Sequence, residues 1–145
     1  MKLEELQVYN LAMKMGEDVW TRVSARDIFA KDTVGKQWVR AADSVAANLS
    51  EGFGRYHYKE NKNHCYYSRG SLFECRTWTA KAHRRGLISQ EDFDGFVRDI
   101  NTIGIKLNNY IRSIGVRPED DRAKESCAVY SCGWDNNDGI PGANQ

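Results

Sequence analysis

The sequence predicts an all-α protein that folds as an antiparallel up-and-down four-helix bundle. Apolar residues recur at steps of three and four in four separate segments, which is the spacing of one helix face. Both prolines, Pro118 and Pro141, lie near the C-terminal end, so residues 1–117 contain no helix-breaking proline. No segment shows a convincing strand-like alternation of apolar and polar residues. Four such stripes favour near-aligned packing in one bundle.

The four stripes follow one another along the chain. The first contains Leu6, Tyr9, Met13, Gly16, Trp20 and Val23. The second contains Trp38, Ala42, Val45 and Leu49. The third contains Cys65, Ser68, Leu72, Cys75, Thr79 and Ala82. The fourth contains Phe93, Phe96, Ile100, Ile103, Leu107, Tyr110 and Ile114.

Local signals place the connections between these helices. Residues 24–35 are expected to form a longer loop. The stretch after residue 51 is interpreted as a helix joint, with Gly54 in the left-handed conformation and the next helix starting near Lys59. Gly86 is expected to end the third helix, and Ser89 to cap the fourth.

The bundle is predicted to occupy residues 1–115, and residues 116–145 to form an irregular, acidic tail rich in Gly, Asn and Asp.

Charge is distributed unevenly, although the whole chain carries only +1. Residues 36–85 contain ten Lys or Arg against four Asp or Glu, whereas residues 116–145 contain three against six. A basic middle with an acidic tail favours an anionic partner.

No pattern predicts an enzyme, a metal site or a cofactor. The glycines of Gly52-Phe53-Gly54 follow a helix and lack the rest of a phosphate-binding loop. His57 falls in the joint, and the adjacent residues His64 and Cys65 point about 100° apart on a helix, so no pair has the three- or four-residue spacing that puts two metal ligands on one face. Cys65 and Cys75 fall in the third stripe, where cysteine acts as a small buried apolar residue. The start MKLEEL resembles no export signal, and no apolar run reaches membrane length, so we expect a cytoplasmic protein with reduced thiols and no membrane partner.

A line of basic residues recurs every seven positions, and such a line drifts by only about 20° per heptad on a helix. Its members are Arg55, Lys62, Arg69, Arg76 and His83. Further candidates for nucleic-acid binding beside it are Lys59, Lys81, Arg84 and Arg85. Interleaved tyrosines offer flat faces to unpaired bases. The line also borders the third apolar stripe, so its side chains could instead cover apolar surface and pair with acids of a neighbouring helix or subunit.

Two motifs resemble a known family. Residues 41–55, AADSVAANLSEGFGR, resemble the signature R-A-x-S-I-P-A-N-I-A-E-G-x-G-R of proteins encoded in intervening sequences of bacterial 23S rRNA genes. Residues 68–74, SRGSLFE, are similar to that family's second signature, small-x-G-S-L-x-E. The resemblance covers residues 3–115. The sequence departs from it at Ala46, where the family usually has proline, at His64-Cys65, where a more apolar pair is usual, and in the tail.

The resemblance implies an antiparallel four-helix bundle that assembles into a ring, commonly a homopentamer, without known catalytic activity. A related branch, the accessory variability protein of diversity-generating retroelements, works with a reverse transcriptase and nucleic acid. The positions that match the two motifs are Asn48, Glu51, Gly52, Gly54, Arg55, Gly70, Ser71, Leu72 and Glu74. Structural roles are expected for them. Asn48 and Ser44 satisfy each other or the backbone, and Gly70 allows close helix contact. Glu51 or Glu74 pairs with Arg55 or Arg69, within a protomer or across a ring interface.

Two functional hypotheses follow. The first is a non-catalytic oligomeric accessory protein that binds nucleic acid, with RNA favoured, or a nucleic-acid enzyme such as a reverse transcriptase. The alternative is a scaffold ring that docks a protein partner in a groove or through the C-terminal tail.

Overall fold

Four long helices form the fold in the computed structural model, which describes residues 1–116. Helix α1 spans Gln7–Ser24, α2 spans Lys36–Phe53, α3 spans Tyr58–Arg84 and α4 spans Gln90–Ser113. A 3-10 turn, Leu3–Glu5, precedes α1, and no strand occurs within residues 1–116. The predicted all-α, four-helix class is confirmed. Residues 117–145, on which the predicted tail falls, lie outside the described range, so that expectation stays a prediction.

Helices α1 and α4 pack in opposite chain directions. Near the end of α1, Arg22 Nη2 forms an ion pair at 2.8 Å with Asp92 Oδ1 at the start of α4. Near the start of α1, Gln7 Oε1 accepts a 3.0 Å hydrogen bond from Lys106 Nζ, late in α4. These contacts join the first and last helices of the bundle, and α2 and α3 complete it.

The core-facing stripe of α1 differs from the predicted one. The buried residues are Val8, Ala12, Met15, Gly16, Val19 and Val23. Met13 and Trp20 of the predicted stripe are 45% and 58% exposed. Leu6, Gly16 and Val23 of the predicted stripe are buried as expected. The middle of the stripe is shifted, because Met15 and Val19 face the core where Met13 and Trp20 were expected to. The stripes of α2 and α3 are confirmed as buried, as is that of α4 apart from the partly buried Tyr110.

The loop predicted over residues 24–35 is wrong for residues 28–35, which are helical. Asp27 Oδ1 accepts a 2.8 Å hydrogen bond from Ala30 N and caps a short helix, Ile28–Ala30. A π-helical turn, Lys31–Gly35, then runs directly into α2. Gly35 is buried, and a Cβ on it would lie 2.6 Å from Val23 Cγ1, so this lead-in packs directly on the end of α1.

The helix joint between α2 and α3 is confirmed, but its conformation is not the predicted one. Gly54 has φ −76° and ψ −5°, so it is right-handed, not left-handed. The Gly54 N–H keeps the regular α-helical bond to Ser50 O at 3.1 Å, and the Arg55 N–H then bonds to Gly52 O, three residues back, at 3.0 Å. A 3-10-like last turn therefore ends this helix.

The connection between α3 and α4 agrees with the prediction. Gly86 has φ +71°, and its N–H bonds to His83 O at 3.0 Å, while Leu87 N–H bonds to Ala82 O at 2.9 Å. This pair of bonds is the Schellman arrangement that a glycine after a helix permits. Ser89 Oγ accepts a first-turn N–H and caps α4.

Candidate nucleic-acid interface

The basic line of α3 lies along the contact with α4. Four of its members share one partly buried face of α3: Lys62, Arg69, Arg76 and His83. Arg69 Nη1 donates to Asn108 Oδ1 at 3.2 Å, and the His83 ring stacks on Phe93 with centroids 4.3 Å apart and planes at 17°. Asn108 and Phe93 belong to α4. Arg69 and His83 therefore contact a neighbouring helix of the same chain, as the alternative interpretation of the basic line expects. A role for either residue in binding nucleic acid stays a prediction.

Arg55, the first member of the predicted line, precedes α3 and lies in the joint. Its Nη2 atom is 2.7 Å from Glu51 Oε1, an i,i+4 ion pair that confirms the expected partner. His64 Nδ1 lies 3.8 Å from the other oxygen of Glu51. Since exposed pairs of this kind contribute at most about 1 kcal/mol, an anion could compete for the Arg55 guanidinium.

The remaining basic candidates are exposed at the two ends of α3. Lys59 lies in its first turn, whereas Lys81, Arg84 and Arg85 lie at its C-terminal end. Lys59 and Arg84 are separated by about 37 Å along the axis, at about 1.5 Å per residue. Cations in a last turn also interact favourably with the helix dipole, so local helix stability accounts for part of this cluster. The exposed charge of these four residues thus lies at the two ends of α3 and does not form one continuous ridge.

Exposed tyrosines lie in the joint before α3 and along its first three turns. Tyr56, Tyr58, Tyr66 and Tyr67 are 92%, 67%, 43% and 61% exposed. Arg69 Cζ lies 5.1 Å from the Tyr66 ring centroid, and His64 meets Tyr67 edge-on at 5.6 Å. Sequence reasoning noted these rings but did not include them among the site residues. Their alternation with cations at helical spacing was the signal that could have included them.

The first motif serves the contact between α2 and α3. A Cβ on Gly52 would lie 2.7 Å from His64 Cβ and 3.0 Å from Asn61 O, so only glycine fits without a shift. Asn48 Nδ2 donates to Ser44 O at 2.8 Å, which confirms the expected bond to backbone. Helix α2 continues through Ala46, where the family usually has proline.

The second motif is divided between the inside and the outside of the molecule. Leu72 is fully buried, and Ser71 is partly buried. Glu74 Oε1 accepts a 3.2 Å hydrogen bond from Trp78 Nε1 of the same helix, and its pairing with an arginine of another subunit stays a prediction. Gly70 is exposed, and no atom of another helix lies within 4 Å of a Cβ placed on it. The close helix contact predicted for Gly70 is therefore wrong within the chain.

The two cysteines of α3 are buried and free, as predicted. Burial raises the pKa of each thiol to about 12. At neutral pH both therefore remain protonated and weakly nucleophilic. The other two cysteines, Cys127 and Cys132, lie outside the described residues.

A groove of about 300 Å³ lies between α1 and α2. Its lining includes Gly16, Glu17, Asp43 and Ala47. Burial, followed by repulsion from Glu17, raises the pKa of the Asp43 carboxyl above its usual value. The groove is acidic on its polar side and thus opposite in sign to α3.

Comparison with known proteins places these features in a family. The model of the 23S rRNA-intervening sequence proteins matches residues 4–109, well over half of the chain. The chain belongs to this family. A crystal structure of a protein of unknown function from the S23 ribosomal protein family of Bacteroides thetaiotaomicron is similar to it, with a TM-score of 0.65 and 17% identity. That similarity covers 73% of this chain and 99% of the other, and at this identity it supports the fold alone. No curated protein sequence gives a significant match.

The residues that match the 23S rRNA-intervening sequence protein family include both motifs and all nine basic candidates, because the match spans α2 and α3. Within residues 1–116, no helix is long and apolar enough to cross a membrane. The same residues contain no group of three or more His, Cys, Asp or Glu side chains placed to hold a metal ion.

Proposed function

We propose that this protein is a non-catalytic, oligomeric accessory protein that binds nucleic acid, with RNA favoured, or a nucleic-acid enzyme such as a reverse transcriptase. The observation that carries the proposal is the exposed positive charge at the two ends of α3. Lys59 lies at one end, and Lys81, Arg84 and Arg85 lie at the other. The exposed cations at both ends suit a phosphate backbone, to which cations bind without base specificity.

The charge balance supports an anionic partner. Residues 36–85 carry ten basic against four acidic residues, although the whole chain is almost neutral. Membership in a family named for an rRNA intervening sequence favours RNA among polyanions. If copies of the chain assemble, each weak contact is repeated on one particle, and the combined affinity exceeds that of a single copy.

The first experiment measures absolute particle mass by light scattering, with and without structured RNA, at low and moderate salt. We expect an oligomer that gains RNA mass at low salt and releases it as salt rises, because phosphate contacts displace counterions. An oligomer whose mass never changes with RNA would contradict RNA binding. A monomer would contradict the oligomeric part of the proposal.

The second experiment locates the contact by neutralising charge. The test variant Lys59→Gln/Arg84→Gln/Arg85→Gln changes exposed side chains at both ends of α3. The control Lys31→Gln/Lys36→Gln removes exposed lysines beside the start of α2. We expect the test variant to weaken RNA binding and to reduce the slope of its salt dependence by about one unit for each phosphate that it no longer neutralises, with the control close to wild type. Equal effects in both variants would indicate a general charge effect without a defined surface.

The groove between α1 and α2 favours a second candidate, a scaffold that docks a protein. Its acidic groups, Glu17 and Asp43, suit a basic side chain from a partner, and Trp20 nearby on α1 is exposed. Filling the groove with Ala47→Arg would then abolish capture of a partner while leaving particle mass unchanged. Deleting residues 116–145 separates groove docking from docking through the tail, since only the latter requires those residues.

A further inference from the structure

Aromatic and basic side chains alternate along one strip of α3. Tyr58, Lys62, Tyr66 and Arg69 follow one another at steps of four, four and three, which places neighbours on the same helix face. Tyr58 and Tyr66 are about 12 Å apart along the axis, with Lys62 midway between them. Both rings are substantially exposed, so burial in the core of this chain does not explain them.

The Tyr66 ring is held in place by a cation that is itself fixed. Arg69 donates to Asn108 of α4 at 3.2 Å, and its guanidinium lies 5.1 Å from the Tyr66 centroid. Tyr66 nevertheless keeps 43% of its surface exposed. An aromatic ring that is already oriented loses less conformational freedom when a flat ligand stacks on it.

Gly70 leaves the helix backbone bare beside these rings. It follows Tyr66 by four residues and Tyr67 by three, and apart from its chain neighbours and the backbone of its own helix, no atom lies within 4 Å of a Cβ placed on it. Glycine inside a helix costs about 1 kcal/mol relative to alanine, and no contact described within this chain requires it. A ligand that approaches the backbone closely would give this position a reason to lack a side chain.

The charges around the strip favour an anionic ligand. Residues 54–70 contain four Lys or Arg and a single acidic residue, Glu60. A ligand with both negative charge and exposed flat faces is a single-stranded nucleic acid, because a duplex hides the faces of its bases. We infer that Tyr58, Lys62, Tyr66, Arg69 and Gly70 form a binding site for an unpaired segment of RNA. Bases stack on Tyr58 and Tyr66, and Lys62 contacts the phosphate between them. This inference rests on the proposed function, nucleic-acid binding.

The test compares the full chain and its variants on one RNA oligonucleotide, either single-stranded or annealed to its complement. Fluorescence anisotropy gives the Kd of each at several salt concentrations. Tyr66→Ala removes the ring, and Tyr66→Phe restores it without the hydroxyl. Gly70→Ala adds a methyl group to the bare backbone. The control is Phe29→Ala, which removes an 80% exposed ring. Phe29 precedes the start of α2, whereas the joint follows the end of α2, so the control lies away from the strip.

We expect wild type to bind the single strand more tightly than the duplex. Tyr66→Ala should raise the Kd for the single strand about fivefold or more, with the salt slope and the duplex Kd unchanged, because this variant cannot stack on a base but keeps every phosphate-binding cation. Tyr66→Phe and Phe29→Ala should match wild type, and Gly70→Ala should weaken single-strand binding.

Three results would overturn the inference in distinguishable ways. If wild type binds RNA but Tyr66→Ala and Gly70→Ala bind it equally well, the tyrosine site is wrong and the proposed function stands. If wild type binds neither form of RNA, the proposed function fails with it. If Tyr66→Ala changes the particle mass while Phe29→Ala does not, the strip is a contact between copies of the chain.

Discussion

Gly52 and Gly70 both lie in helices and both belong to family motifs, yet their surroundings are opposite. Gly52, in α2, faces α3 so closely that a Cβ would lie 2.7 Å from His64 Cβ. Gly70, in α3, faces open space. The first glycine is explained by packing within the chain, and the second is not. A shared motif therefore does not imply a shared role, and the exposed glycine points to a partner outside the chain.

The two faces of α3 show the same contrast on a larger scale. Its inner face is made of small and neutral side chains, among them Cys65, Ser68 and Cys75, which let α2 approach. Its outer face carries large exposed rings and cations. Substitutions on the inner face should change stability, whereas those on the outer face should change binding.

The largest expected effect is that of Gly52→Ala, which tests the packing role directly. The added Cβ meets the side chain of His64 and backbone of Asn61, so α2 and α3 must separate slightly. We expect the free energy of unfolding to fall by about 1–3 kcal/mol, as for other overpacked sites. Urea unfolding followed by circular dichroism measures it. If Gly52→Ala were as stable as wild type, the close approach of α2 and α3 would not constrain this position.

Ser68→Ala should have a smaller effect on the same contact. Ser68 is fully buried, and its hydroxyl donates to Val45 O of α2 at 2.7 Å. Removing this interhelical bond should cost about 1 kcal/mol, because the carbonyl keeps its own place in the helix ladder of α2. Thr77→Ala is the control, since Thr77 is exposed and its hydroxyl bonds only within α3. Equal destabilisation in both variants would mean that the bond between α3 and α2 contributes no more to stability than a bond within one helix.

The fold was largely predictable from sequence because it depends on periodicity. The stripes of α2, α3 and α4 have one dominant apolar face each, and the structure buries that face. In α1 two stripes compete, and periodicity alone does not decide between Met13 and Met15. Periodicity does not predict the helical segment over residues 28–35, because its largest apolar side chains, Ile28 and Phe29, are exposed and only the smaller Ala30, Val34 and Gly35 are buried.

The candidate site was less predictable, since a heptad spacing fixes which residues share a face but not what that face meets. Arg69 and Arg76 fall on the predicted line, and only the position of α4 shows that this face borders another helix. Gly70 matched a family motif, but neither motif nor spacing indicates whether a helical glycine faces a neighbour or solvent. These are tertiary properties.

Gly70→Ala should increase stability, in contrast to the same change at Gly52. Nothing within 4 Å obstructs the new methyl group, and alanine restricts the unfolded chain more than glycine does. We expect the free energy of unfolding to rise by about 0.5–1 kcal/mol, measured as for Gly52→Ala. Together with weaker RNA binding, this gain would mark Gly70 as a position where function costs stability. A decrease in the stability of Gly70→Ala would instead indicate a packed environment, such as a contact between subunits.

The smallest expected effect concerns the contact between Gly16 of α1 and Asp43 of α2, where the group beside the glycine carries a charge. A Cβ on Gly16 would lie 2.8 Å from Asp43 Oδ1, and burial together with Glu17 raises the pKa of this carboxyl above its ordinary value of 3.8. Because the folded state holds the proton more tightly, ionised Asp43 destabilises the fold at neutral pH. That cost disappears as pH falls through the raised pKa toward the ordinary one.

Asp43→Asn should therefore stabilise the protein by a few tenths of a kcal/mol at neutral pH, since the group is partly exposed and solvent screens the charge. The gain should shrink as pH falls through the raised pKa of Asp43 toward its ordinary value of 3.8, because Asp43 of wild type takes up its proton over that range. Asp18→Asn is the matched control: it breaks an exposed 2.6 Å ion pair with Lys14, so it should destabilise slightly at neutral pH. Urea unfolding at neutral pH and at low pH measures the difference. A gain for Asp43→Asn that persisted unchanged at low pH would show that the close contact at Gly16 is limited by shape and not by the charge of Asp43.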